Sequence, residues 1–203
     1  MKKIRMIVIL LLMFIALTGC SNSKEEKMLK KIEDSNYLIV HQFHKTGNYY
    51  DKNKKCYDLA TNEKLCPNET RDEEVDLIML INKSNKDRYF TIDKTKKLVY
   101  YTQTEGIDYF SYYYDEDLTN VLIMYTNIDN YDNCIYIIKS SDEESNNEGY
   151  VTCPKSIEEK ADVIIANMKE ALKSFDISEK DLFAFGDWYK KEYMVAHKKS
   201  LDK

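Results

Sequence analysis

Five cysteines, three histidines and a heavy load of tyrosine are the side chains in this chain with chemistry to offer. Cys20 stands apart from Cys56, Cys66, Cys134 and Cys153, because it closes the stretch Leu17-Thr18-Gly19-Cys20. A thiolate is a strong nucleophile, and Thr18 and Gly19 leave little bulk beside a bond to be cut there. The patterns of ordinary catalysis are missing. Gly19, Gly47, Gly106, Gly149 and Gly186 form neither a phosphate-cradling loop nor a nucleophile elbow. There is no Cys-x-x-Cys and no His-Glu-x-x-His, and His41 and His44 lie three apart on an expected strand, which sends them to opposite faces. The acidic runs at 72–74, 115–117 and 142–144 lack the alternate spacing and glycine of a calcium loop. They read as solvated turns that keep sheet edges from pairing. No catalytic residue and no metal ligand is therefore assigned, although an enzyme site assembled from residues distant in sequence stays open.

Upstream of Cys20, Met6 to Leu17 is an unbroken run of twelve apolar residues preceded by Lys2, Lys3 and Arg5. A membrane-spanning helix needs roughly 20, so this is the apolar region of a secretory signal with its basic front and small-residue end. Together with Leu17-Thr18-Gly19-Cys20, the segment resembles the signal peptide and lipobox of bacterial lipoprotein precursors. That resemblance covers only these first residues. It implies that the Cys20 thiol receives a diacylglycerol, that a dedicated peptidase cuts just before it, and that Cys20 becomes the mature N-terminus. Two acyl chains hold a protein stably on a membrane where one does not. The expected organisation is a cleaved signal over 1–19, a lipidated tether over 20–26 and a single extracytoplasmic domain over 27–203.

Cleavage removes three basic residues and no acidic one, so the formal charge of -5 becomes three units more negative. An acidic domain argues against nucleic acid or anionic lipid as partner, since both need a net basic stripe. Arginine is confined to Arg5, Arg71 and Arg88 while lysine, isoleucine, asparagine and tyrosine abound, a bias that suggests a low-GC Gram-positive source. The anchor then sits in the outer leaflet of the cell membrane; in a diderm, Ser21 would fit outer-membrane sorting. No cofactor is expected beyond the covalent lipid.

Export also sets the redox context. An even set of four remaining cysteines reads as disulfides with three possible connectivities. Local pairing favours Cys56 with Cys66 and Cys134 with Cys153, each flanking a plausible turn. If Cys134 faces Cys153 across a hairpin, Tyr136 faces Val151 on the same side.

The elements that position these groups follow from periodicity. Met28, Leu29 and Ile32 mark a short helix over 27–34. Seven segments rich in β-branched and aromatic residues follow, at 37–43, 75–81, 88–92, 97–102, 107–113, 120–126 and 134–139. The breaks between the last five are hairpin-length and leave no room for parallel crossovers, so an antiparallel meander is expected. Ser156 with Glu159 predicts a capping box for a helix bearing Ile157, Ala161, Ile164, Met168, Leu172 and Phe175. Ser178 with Asp181 predicts a second, Ile177 stapling to Leu182, with the stripe Leu182, Phe185, Tyr189, Tyr193 and Ala196. A sheet with one short N-terminal helix and two C-terminal helices on one face is an α+β fold.

Tyrosine offers a flat apolar ring and a hydroxyl, the combination binding surfaces use for peptides and sugars. The strand from Ile107 puts Tyr109 and Tyr113 on one face and Phe110, Tyr112 and Tyr114 on the other. One set is expected under the helices and the other on a ligand platform, so Tyr109, Tyr112, Tyr113 and Tyr114 are the candidate binding residues. The functional expectation is a membrane-anchored, non-catalytic lipoprotein that binds a protein, peptide or cell-wall component. The alternatives are an extracytoplasmic enzyme and an accessory subunit of a membrane complex.

Overall fold

The computed structural model describes residues 23–44, 46–57, 59, 74–130, 132–141 and 151–202. Cys20, Cys66 and Tyr131 lie outside the described residues, so the lipobox and the 56–66 disulfide are not covered by it. Helix α1 (Lys24–Asp34) opens on a capping box, with Ser23 Oγ accepting from the Glu26 amide and Glu26 accepting from the Ser23 amide, each at 3.1 Å. Two otherwise orphaned donors are thereby satisfied. The helix consequently begins at Lys24, three residues ahead of the expected Lys27. Met28, Leu29 and Ile32 are its buried face.

Ten strands form one sheet: β1 (Tyr37–Phe43), β2 (Tyr49–Tyr50), β3 (Cys56–Tyr57), β4 (Asp76–Asn82), β5 (Arg88–Asp93), β6 (Leu98–Glu105), β7 (Asp108–Asp115), β8 (Val121–Asn127), β9 (Asn133–Lys139) and β10 (Val151–Thr152). Their order is β10-β9-β8-β7-β6-β5-β4-β1-β2-β3. β4 through β9 are the expected antiparallel meander, and β1 pairs with β4 along its full length. The two-residue strands β2 and β3 extend the far edge beyond β1; runs this short leave no alternating signature in a sequence.

The opposite edge departs from expectation. Cys134 and Cys153 are bonded, with Cα atoms 4.9 Å apart. Yet β10 runs parallel to β9, with Val151 opposite Cys134 and Thr152 opposite Ile135, so Tyr136 does not face Val151. Parallel pairing requires the chain to come back to the same end of the sheet, which a tight hairpin does not allow. Val151 is 70% exposed, so apolar matching does not set this register.

Helix α2 (Lys155–Phe175) buries every residue of its expected stripe. Its start differs: Pro154 is the N-cap, no side chain caps it, and Ser156 sits inside the first turn without a capping box. A proline with φ near -67° enters a helix without an amide to satisfy. Helix α3 (Glu179–Tyr189) has the expected box, Asp181 accepting from the Ser178 amide at 2.8 Å and Ser178 Oγ from the Asp181 amide at 3.3 Å. The chain continues through a π-helical turn (Lys190–Met194) into α4 (Val195–Leu201). That wider turn rotates the following residues about the axis. Met194 and His197 are buried, while Tyr193 is only half-buried and Ala196 is exposed, so the expected stripe is displaced by one position beyond Tyr189.

The helices pack on one side of the sheet against Ile39, Phe43, Leu80, Phe90, Ile92, Tyr101, Phe110, Tyr112, Tyr114 and Ile123. This is the α+β arrangement. The other side carries a small cluster, Val40, Met79 and Ile81, under Tyr49, Tyr57 and Leu59 near the β1 edge.

Candidate functional site

Alternation along β7 divides the four candidate tyrosines. Tyr112 and Tyr114 point under the helices, 5% and 0% exposed, and reach Glu179 at the start of α3 through its carboxylate at 3.1 Å and its carbonyl at 3.4 Å. They are core residues, so the four do not share one surface. Tyr109 and Tyr113 lie on the opposite side, half-buried.

Register brings two further tyrosines to them. Tyr100 of β6 is directly opposite Tyr113, with ring centroids 5.1 Å apart. Tyr89 of β5 and Tyr109 of β7 reach across β6 and meet hydroxyl to hydroxyl at 3.0 Å. Beneath them Thr102 faces Ser111, their hydroxyls 3.2 Å apart, and Thr91 faces Tyr100. Thr91, Thr102 and Ser111 are almost wholly buried although the buried side chains of the described helices all belong to the other face. The short side chains leave room for the large rings to lean over them. The result is a floor of hydroxyls roofed by four phenols.

Next to this roof, Leu98, Tyr113, Leu122, Met124 and Ile135 surround an apolar hollow of about 190 Å³. Asp93 and Asp115, at one end of the strands, are committed to turns. Asp93 accepts from the Thr95 and Lys96 amides, and Asp115 from Thr119 and Asn120. The centre of the face between β5 and β8 is therefore uncharged. Burial pushes the Tyr100 phenol up to about 12 and raises Tyr89 too, aided there by Tyr109. These hydroxyls stay protonated and offer donors as well as acceptors at any ordinary pH.

The histidines meet elsewhere. His41, on the helix side of β1, lies with Nε2 3.3 Å from Nδ1 of His197 on α4, inside a cage of Phe43, Tyr50 and Tyr189. His41 Nδ1 and the Tyr189 hydroxyl are buried without hydrogen-bond partners. Burial, and then the neighbouring imidazole, lower His41 to about 3, and burial lowers His197 as well. The pair is neutral at physiological pH and wrapped in rings. His44 leaves the strand and instead meets Lys198 Nζ at 3.1 Å.

Cys56 is buried on β3, beside Tyr50. Among the described residues no three His, Cys, Asp or Glu side chains gather as a metal site would require, and no helix is long and apolar enough to cross a membrane. Tyr89 and Tyr100 were within reach of the same alternation that placed Tyr109; what one strand cannot reveal is which neighbour stands opposite. The His41–His197 contact had no local signal at all. No protein-family model matches the chain, and neither does any curated protein or solved structure.

Proposed function

We propose that the mature chain is an extracytoplasmic binding module, tethered by a lipid on Cys20 to the outer face of the cell membrane, that uses its tyrosine face to hold an uncharged stretch of a protein, peptide or cell-wall polymer. The observation that carries this reading is the roof of Tyr89, Tyr100, Tyr109 and Tyr113 over buried hydroxyls on the side the described helices leave uncovered. Such rings supply rigid contact area at small entropic cost, and their hydroxyls give polar contacts without charge. Burial holds the Tyr89 and Tyr100 phenols in the protonated form, which favours binding over chemical turnover.

The position of α1 supports the orientation. Only Ser21 and Asn22 separate Cys20 from the cap at Ser23, and Lys24 Nζ meets Asp181 of α3 at 2.6 Å on the helix side. A lipid joined so few residues ahead of this cap would turn the helical side toward the bilayer and the tyrosine face away from it. Crosslinking in intact cells tests both halves. Cys20→Ser is expected to leave the membrane fraction, and Tyr100→Ala with Tyr113→Ala to remain there while losing its crosslinked partner and its co-sedimentation with purified cell wall. A double variant that keeps partner and wall binding at wild-type level would overturn the assignment to this face.

A further inference from the structure

The helix side of the sheet carries one cross-strand row that is polar where a core row should be apolar. Tyr37 stands opposite Asn82, and Arg88 opposite Gln103. The adjacent row, Ile39, Leu80, Phe90 and Tyr101, is core. Above the polar row α2 places Asn167, Glu170, Ala171 and Ser174, spaced i, i+3, i+4 and i+7 and so on one flank of the helix. Strand row and helix flank line an open-mouthed cavity of about 240 Å³.

Its floor is already satisfied. Gln103, 1% exposed, accepts at Oε1 from Asn167 Nδ2 at 3.0 Å and from the Tyr101 hydroxyl at 3.4 Å, and donates to Glu105 at 2.6 Å. Its charges are not. Arg88 is the one arginine among the described residues, and its Nε is buried with no hydrogen-bond partner. Glu170 stands at the exposed rim, and among the described ion pairs neither residue pairs with the other or with anything else. Both act on the same two phenols, Arg88 lowering and Glu170 raising Tyr37 and Tyr101, so both charges border one small space. A guanidinium with a free edge in a sheltered site is a fork for a carboxylate, and an unmade bond to a buried polar group is costly. A carboxylate across the cavity complements an amino group. The volume is below the roughly 300–1,000 Å³ of sites for drug-sized ligands.

We propose that this cavity is a binding site for a small zwitterion of free α-amino-acid size, its carboxylate on Arg88, its amino group on Glu170 and its side chain against Tyr37, Tyr101 and Ala171. The site lies across the sheet from the tyrosine face and does not depend on that face binding anything.

Titration calorimetry on the full chain in detergent tests it, with the common α-amino acids, acetate, methylammonium and inorganic phosphate as probes. At least one amino acid is expected to saturate the protein at roughly millimolar concentration or below, with acetate about tenfold weaker for want of the amino contact and side-chain burial. Arg88→Gln should weaken that amino acid by about 10- to 100-fold, the range for losing a hydrogen-bonded charge. Glu170→Gln removes an exposed group, cannot unfold the domain, and should weaken it by about 2- to 5-fold while leaving acetate unchanged. Tyr100→Ala with Tyr113→Ala should bind the amino acid as the wild type does. The proposal fails if no amino acid saturates the chain, if acetate or phosphate binds as tightly as the best amino acid, or if a folded Arg88→Gln variant keeps wild-type affinity.

Discussion

Acidification should loosen this domain well above the pH at which its carboxylates titrate, and His41 is the reason. In an unfolded chain an imidazole titrates near 6.5; in the folded domain burial and the facing His197 bring His41 down to about 3. Between those values the unfolded state binds a proton that the folded state refuses. Stability contributed by the neutral ring is therefore complete above about pH 6.5, declines as pH falls, and levels off only near 3. Each pH unit inside that window is worth at most about 1.4 kcal/mol, so about 2 kcal/mol is lost by pH 5 and about 5 kcal/mol by pH 3 from this group alone. His197, also lowered, acts in the same direction. The depressed carboxylates belong to a separate window: Asp181, held near 2 by Lys24 and the Ser178 cap, yields its contribution only as pH falls below 3.8. Urea unfolding at intervals between about pH 7.5 and 4.5 reads the slope directly, and a melting-temperature fall of about 4–8 °C by pH 5 should accompany it. In His41→Leu, a near-isosteric core replacement, the slope over this range should flatten. A His41→Leu variant whose stability falls as steeply as the wild type would refute the assignment of acid sensitivity to His41.

Gly186 allows α3 to lie close to β5: a Cβ there would stand 2.8 Å from Ile92 Cγ2, the methyl carried by the β-carbon of a fully buried residue. Gly186→Ala should lower the urea-unfolding stability by about 1–3 kcal/mol through overpacking, outweighing its gain of about 1 kcal/mol in helix propensity; a stabilised variant would show that Ile92 gives way. The Cys134–Cys153 bond spans 19 residues and holds a two-residue strand at the sheet edge, so Cys134→Ala with Cys153→Ala should cost about 3 kcal/mol in the same assay. A loss below about 1 kcal/mol would mean that the edge is held without it.

Much of this architecture is written in local patterns. The β7 alternation separates Tyr109 and Tyr113 from Phe110, Tyr112 and Tyr114, because a pleated strand has a side-chain period of two whatever it packs against. The α2 stripe and the Ser178–Asp181 cap are equally local, resting on helical period and on backbone amides within one turn. Where a local signal had a competitor, it lost. Ser156 is a good cap residue, but Pro154, two residues earlier, already enters the helix. The Leu182–Ala196 stripe holds to Tyr189 and then slips, because the π-helical turn at 190–194 changes the number of residues per turn.

What the amino-acid order determines by itself is the class of each segment and the two faces it presents: an acidic chain, strands that alternate, and helices with one apolar stripe. Only tertiary structure decides which face of a two-sided apolar sheet the helices cover, since Tyr109 and Tyr113 are no less apolar than Tyr112 and Tyr114. Tertiary structure alone also sets His41 against His197, Arg88 in a row with Tyr37 and Gln103 beneath α2, and β10 parallel to β9. Each of these joins residues far apart in the chain, and periodicity reports how a segment is turned, not what stands opposite it.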